Sequence, residues 1–363
     1  MTSPVLLSST PLATSVPGAE AWHIRYRSHD QRGREHEVTG IVFAPRDRGT
    51  DAPIVTWCHG TTGIGDVACP SAQPDPAREL TVYFSPDATT QLDYGVPGIA
   101  GLIEDGYVVC ATDYQGLGTP GIHQYNVNRT NALDALYAAH AAREMGIGAG
   151  TRLIGMGWSQ GGGAAAALAE LDDADFADLD LRGCVLMSPA VTIIGLEDPI
   201  GVAASLAGGT APPDSHVLML LMGHSAGFDL DLGDVLTPLG VDIMTCVQEI
   251  QPVHHINDTV ARMFRLKGPI LGNPPANVDA WKAAANEGSA GRVKPRCPIL
   301  VCIDSFDGGT VVPVQWQQGY IKDAQALGGQ VESRDYPKDD HFSLPFSCSA
   351  DARAWVRDGL KEA

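Results

Sequence analysis

A serine stands between glycines in GMGWSQGGGAAAALAE, residues 155–170, where an apolar run meets an alanine-rich stretch. The pattern Gly-x-Ser-x-Gly between a strand and a helix is typical of a nucleophile elbow. A turn this tight strains the serine backbone and leaves no room for β-carbons at the flanking positions, which explains the glycines. We therefore predict that Ser159 is a nucleophile whose hydroxyl projects above the sheet. The alternative is an ordinary strand-to-helix turn.

A serine hydroxyl is a weak nucleophile, so a base must take its proton and an acid must orient that base. His341 is the only histidine after position 255, and it precedes the last helical pattern, as the base does in the chain order serine, acid, histidine. The segment PILVCIDSFDGGTVVP offers two acids after a core strand. We predict Asp307, because it lies deeper in the loop, with Asp304 as the alternative.

Two backbone N–H groups are expected to form an oxyanion hole. Gln160 begins the helix after the serine, where helix N–H groups and the helix dipole favour negative charge. The loop in IVTWCHGTTG, residues 54–63, has small residues that would let the backbone of Thr61 approach a reacting carbonyl. His59 is predicted to be structural, because the three catalytic roles are already filled. The sequence predicts no metal site and no cofactor.

The elements that position these residues follow from the hydrophobic pattern. Seven short β-like runs, several of them continuously apolar, alternate with helical patterns, which predicts an α/β fold with a mostly parallel sheet covered by helices. The alternation stops between about 189 and 296, where proline, glycine and methionine are frequent and apolar residues have helical spacing. We predict a core at 1–188 and 297–363 with a helical cap inserted at 189–296. The alternative for the insertion is a set of packing helices without substrate contact.

Composition excludes several classes of protein. The formal net charge of −19 disfavours nucleic acid and anionic membrane surfaces as partners. The longest strongly apolar stretch, VLMLLMG at 217–223, is too short to cross a bilayer. The N-terminal stretch has neither the basic region nor the apolar core of a signal peptide, so the chain as written reads as cytoplasmic, or as secreted if it is a mature form. The oligomeric state is not predicted.

The chain resembles the secretory lipase family of α/β-hydrolases, the group with the lipase A type enzymes. The resemblance rests on YRSHDQRGREHEVTGIVFAP, WCHGTTGIGDVACPS, ATDYQGLGTPG, GWSQGG, DGGTVVP and DDHFS, which together cover nearly the whole chain. It implies Ser159, Asp307 and His341 as the triad and a helical cap over the acyl pocket. It also implies a disulfide from Cys69, with Cys246 as a possible partner. The glycine pair after Asp307 lengthens a loop that is usually shorter in the family, which keeps Asp304 open.

These observations predict a serine carboxylic ester hydrolase, an esterase or lipase that acts on a small-molecule ester through an acyl-enzyme. The methionine and leucine content of the predicted cap favours apolar acyl or aryl substrates. The alternatives are an acyltransferase or amide hydrolase with the same triad and, from another class, a non-catalytic binding protein of the same fold. The motifs do not distinguish a lipase from an esterase.

Overall fold

The computed structural model describes residues 4–191, 212–272, 274–306 and 311–359. Its strands are β1 (Leu6–Leu12), β2 (Ala19–His29), β3 (Glu35–Pro45), β4 (Ala52–Cys58), β5 (Val108–Thr112), β6 (Ala149–Trp158), β7 (Asp180–Met187), β8 (Ile299–Asp304) and β9 (Val331–Tyr336). Its helices are α1 (Ile99–Glu104), α2 (Asn128–Glu144), α3 (Gln160–Leu168), α4 (Asp173–Phe176), α5 (Ser215–Phe228), α6 (Pro238–Val247), α7 (Val253–Lys267), α8 (Val278–Gly288), α9 (Val314–Ala326) and α10 (Leu344–Gly359).

All of these strands belong to one sheet with the order β1-β2-β3-β5-β4-β6-β7-β8-β9. The first part, from β1 through β2 and β3 to β5, is antiparallel. From β5 to β9 every neighbouring pair is parallel. The carboxyl ends of the parallel strands therefore meet at one edge, where ligands bind in open α/β sheets. The predicted fold class, a mostly parallel sheet flanked by helices, is confirmed.

Helices cover both faces of the sheet, which is why the central strands are apolar throughout. Helices α2 and α3 supply alanines and leucines to one buried cluster, together with residues of α9. Helices α1 and α10 supply apolar side chains to the cluster on the other face. The small alanines of α2 and α3 let these helices pack closely on the sheet and on each other. This packing fixes the ends of β4, β6 and β7 relative to one another.

The segment between β7 and β8 contains helices α5 to α8, and they share a third apolar cluster. Core residues Ile64 and Tyr125 also belong to this cluster. The backbone N–H of Val253, at the start of α7, donates to the carbonyl of Thr62 at 2.9 Å. The helices thus lie against the loop after β4. Residues 192–211 and 273 of the predicted insertion lie outside the described residues, and its boundaries stay a prediction.

In the part of the chain that the structure describes, no helix combines the length and the apolar composition needed to span a bilayer.

Candidate active site

Ser159 lies at the junction of β6 and α3 in a strained backbone conformation. Its φ is 57° and its ψ is −120°, values that a residue with a side chain rarely adopts. The glycines on either side of it leave no room for a side chain. A β-carbon on Gly157 would lie 2.0 Å from the carbonyl oxygen of Gly161, and a β-carbon on Gly161 would lie 1.9 Å from the carbonyl oxygen of Cys58. Steric crowding therefore requires glycine at both positions of the motif, as the sequence predicts.

The loop after β4 passes directly beside this turn. A β-carbon on Gly60 would approach the ring of Trp158 to 2.8 Å, and one on Gly161 would meet the carbonyl oxygen of His59 at 2.6 Å. Gly60 is therefore in contact with the elbow, and Thr61 is the next residue in the chain. Its hydroxyl is hydrogen-bonded with that of Tyr125 at 2.8 Å.

Gln160 is the first residue of α3, so its backbone N–H is one of those that a helix leaves without an intrahelical acceptor. Its side chain points into a buried polar cluster and donates to Nε2 of His123 at 2.7 Å and to Oδ1 of Asn131 at 3.3 Å. His123 donates from Nδ1 to the carbonyl of Gln115, and burial lowers its pKa to about 4. His123 is therefore neutral with its proton on Nδ1, and its Nε2 accepts the hydrogen bond that holds the Gln160 side chain in place.

His341 is buried and is linked to the elbow through Trp158, the residue before the serine. The indole Nε1 donates to the backbone carbonyl of His341 at 3.0 Å, and the two rings are 5.3 Å apart. These contacts bring the segment before α10 to the end of β6, although the two are distant in the chain. The predicted base and the predicted nucleophile therefore lie at the same edge of the sheet.

Asp304, the last residue of β8, is fully buried next to His341. Its Oδ2 lies 3.4 Å from Nδ1 of His341, and its Oδ1 accepts from the amide of Gln317 at 2.7 Å. Oδ2 has no aligned hydrogen bond. Asp307, the acid predicted from the sequence, lies outside the described residues and stays a prediction.

Ser188 is a site residue that the sequence patterns did not indicate. It directly follows β7, is fully buried, and its Oγ is 3.0 Å from Nδ1 of His341. Its φ of 46° turns the chain at the strand end. The signal available in the sequence was only the position of a small polar residue after a buried strand.

His59 has both ring nitrogens engaged with backbone carbonyls, those of Gly60 at 2.6 Å and Asp113 at 3.2 Å. Burial lowers its pKa. These contacts fit the structural role predicted for it.

The eight cysteines are free thiols. Cys69 is buried and Cys246 is exposed, so the disulfide implied by the family resemblance is not formed here. Across the described residues, no group of three or more metal-ligating side chains is placed to hold an ion.

Comparison with known proteins gives a family match and a fold match. A family model described as secretory lipase matches residues 83–201, which include the elbow. The esterase LipA of Xanthomonas oryzae, which degrades rice cell walls, has a TM-score of 0.72 at 19% identity, over 99% of this chain and 98% of its own. Lipase A of Candida antarctica in its closed state has a TM-score of 0.74 at 13% identity, over 98% and 82%. A putative hydrolase of Legionella pneumophila has a TM-score of 0.74 at 16% identity, over 99% of both chains. No curated protein matches the chain.

The sheet order and the whole-chain structural likeness show that the chain has the α/β-hydrolase fold. Within that fold, residues 83–201, which carry the elbow, are similar to the secretory lipase family.

Proposed function

We propose that the enzyme hydrolyses esters with apolar acyl or aryl groups, with Ser159 as nucleophile and His341 as base. Ser159 Oγ attacks the ester carbonyl while His341 takes its proton, and His341 then returns this proton to the leaving alkoxide. Water, activated by the same histidine, attacks the acyl-enzyme and releases the acid. The backbone N–H groups of Thr61 and Gln160 stabilise the oxyanion. The strained backbone of Ser159 at the strand-to-helix turn is the observation that carries the proposal.

The carboxylate that orients His341 comes from the end of β8 and the loop after it. Asp304 is supported by its burial and by the 3.4 Å between its Oδ2 and Nδ1 of His341. Asp307, three residues further on, is supported by its position in the sequence motif. A carboxylate at Nδ1 holds the imidazole in the tautomer that leaves Nε2 free to accept the serine proton.

In this proposal, helices α5 to α8 form a cap that surrounds the acyl group with apolar side chains. Their apolar cluster includes Leu218, Met219, Met222 and Met244, and it extends to Ile64 in the loop after β4. Burial of an acyl chain against such side chains contributes about 0.8 kcal/mol per methylene. Activity should therefore rise with acyl length until the pocket is filled.

Substitution of Ser159 by alanine tests the nucleophile. We expect Ser159→Ala to lower kcat on a p-nitrophenyl ester by about 10⁴-fold or more with an unchanged thermal unfolding midpoint, because no other group forms the acyl-enzyme. An organophosphorus probe should label wild type on the peptide that contains Ser159 and should leave the variant unlabelled. Labelling of another peptide, or full activity of the variant, would contradict the proposal.

The acid is identified with Asp304→Asn and Asp307→Asn, made separately. The variant that removes the acid should lose about 10³- to 10⁴-fold in kcat, because the asparagine amide favours the wrong imidazole tautomer. The other variant serves as the matched control and should stay within about tenfold of wild type. If both variants keep wild-type kcat, the carboxylate does not come from this segment.

We also propose that the enzyme acts outside the cell. The support is the family match, whose members are described as secretory. Ester hydrolase activity in the culture medium of the producing cells, absent from a Ser159→Ala strain, would be the expected result. Activity confined to the cell interior would contradict it.

A further inference from the structure

A row of aromatic rings leads from the catalytic histidine to the surface. Its members, which we call the aromatic wall, are Trp158, His341, Phe342, Phe84, Tyr83 and His254. Phe342 lies 5.6 Å from the His341 ring and 5.2 Å from Phe84, and the ring planes are close to perpendicular in both pairs. Edge-to-face pairs at this spacing attract one another through their ring quadrupoles. The wall is therefore continuous from the ring of His341 to Phe84.

Two members of the wall, Phe342 and Tyr83, are held in place by hydrogen bonds from their backbone N–H groups. The backbone N–H of Phe342 donates to the carboxylate of Asp340 at 3.1 Å, which fixes the turn before α10. Tyr83 stacks on His254 of α7 at 3.6 Å between ring centroids, and its backbone N–H donates to Asp93 at 2.7 Å. The wall thus joins the core to the helices between β7 and β8.

Phe84 is the unusual member, because it is 57% exposed although it lies two rings away from the catalytic base. Its edge-to-face contacts with Tyr83 and Phe342 hold the ring beside them, at 5.0 Å and 5.2 Å. A phenylalanine this exposed still has ring surface that a ligand could cover. An aromatic ligand group would extend the row by the same geometry that its members already use.

The position of the wall indicates which half of the ester would contact it. In the proposed mechanism His341 returns its proton to the leaving alkoxide, so the alcohol oxygen must lie beside the imidazole. The oxyanion donors Thr61 and Gln160 lie on the loop after β4 and at the start of α3 instead. Trp158 contacts the loop after β4 at Gly60, so we assign the other two rings, Phe342 and Phe84, to the alcohol half of the substrate.

We propose that Phe84 and Phe342 form a subsite for an aromatic alcohol, so that esters of benzyl-type alcohols are preferred substrates. This inference rests on the proposed function, because it assumes that His341 is the base. It adds the substrate class: an ester whose leaving group carries a phenyl ring about one carbon from the ester oxygen. The ring would stack against Phe84 while the proton passes from His341 to the oxygen.

Matched esters test the subsite. Benzyl butyrate and cyclohexylmethyl butyrate have the same acyl group, similar leaving-group basicity and similar size, but only the first has a π-system. Phe84→Leu keeps apolar bulk and removes the ring. We expect it to lower kcat/KM for benzyl butyrate by about three- to tenfold and to change the value for cyclohexylmethyl butyrate less than about twofold. Phe176→Leu, which removes a ring of α4 that lies 4.3 Å from the guanidinium of Arg296, is the control and should leave the ratio of the two kcat/KM values unchanged.

A second pair of esters tests whether Phe84 contacts the alcohol half or the acyl half of the substrate. Ethyl phenylacetate and ethyl cyclohexylacetate carry the ring on the acyl side, and Phe84→Leu should leave their ratio unchanged. A fall confined to this second pair, or an equal fall for benzyl and cyclohexylmethyl butyrate, would overturn the inference. If wild type hydrolyses none of the esters, the proposed function fails. If wild type hydrolyses them and Phe84→Leu shifts no ratio, only the aromatic subsite fails.

Discussion

At the scale of single residues, the His341 ring is held on its Nδ1 side by Ser188 as well as by Asp304. Ser188 Oγ lies 3.0 Å from Nδ1, and the backbone N–H of Ser188 donates to the carbonyl of Cys302 in β8. With the proton on Nδ1, the serine oxygen accepts from the same atom that faces the carboxylate. Ser188 is therefore a positioning residue, which keeps the ring plane and the tautomer ready for proton transfer.

Removal of the Ser188 hydroxyl should slow catalysis without weakening binding. We expect Ser188→Ala to lower kcat by about three- to tenfold with KM unchanged, since one net hydrogen bond is worth on the order of 1 kcal/mol. Steady-state kinetics on one p-nitrophenyl ester give both parameters.

Ser188→Gly separates this effect from backbone strain. Glycine adopts the φ of 46° at Ser188 without cost, so this variant should unfold at a higher temperature than Ser188→Ala while losing the same activity. If kcat follows stability across the two variants instead, the hydroxyl does not position His341.

At the scale of elements, the segment that carries Tyr83 and Phe84 is held by a buried carboxyl group. Asp93 is 6% exposed and accepts a hydrogen bond from the backbone N–H of Tyr83. Burial raises the pKa of Asp93 to about 7, and the hydrogen bond from Tyr83 offsets only part of this effect. The folded protein thus holds a proton on Asp93 at pH values where the unfolded chain has released it.

The sign of the pH dependence follows from this difference. Between the unfolded pKa of about 3.9 and the folded pKa of about 7, the folded state binds more protons, so the free energy of unfolding falls as the pH rises. We expect this group to make wild type less stable at pH 8 than at pH 5 by on the order of 3 kcal/mol. Urea unfolding of wild type and Asp93→Asn at both pH values measures the change. The asparagine variant should lack this contribution, and an identical pH dependence of the two proteins would contradict the prediction.

The sequence predicted those elements that depend on patterns among residues close together in the chain. The elbow was predictable because the tight turn at Ser159 requires glycines beside it, and the seven β-like runs correspond to β2 through β8. Strand β1 was not predicted, since LLSSTPL is mostly exposed, contains a proline and lies at the edge of the sheet. Ser188 and Phe84 were also not predicted. Ser188 meets its partner across 153 residues of chain, and no local pattern encodes such a contact.

At the scale of the whole molecule, burial determines which thiols can react. Of the eight cysteines, Cys246 alone is exposed, and it lies on α6. The others are buried, and burial raises the pKa of several of them, including Cys58 to about 12, so they hold their protons and are shielded from reagents. The family resemblance instead implies that Cys69 is oxidised, with Cys246 as a possible partner.

Thiol titration distinguishes these two states of the molecule. An uncharged disulfide reagent is suitable, because the net charge of −19 repels anionic reagents. We expect rapid reaction of a single thiol in the native protein, its loss in Cys246→Ser, and reaction of all eight wild-type thiols after unfolding without reductant. Cys246→Ser should retain wild-type kcat, since its thiol takes no part in the proposed chemistry. If native wild type reacts with no thiol and the unfolded chain shows two thiols fewer than eight, a disulfide joins Cys246 to a second cysteine in the oxidised enzyme.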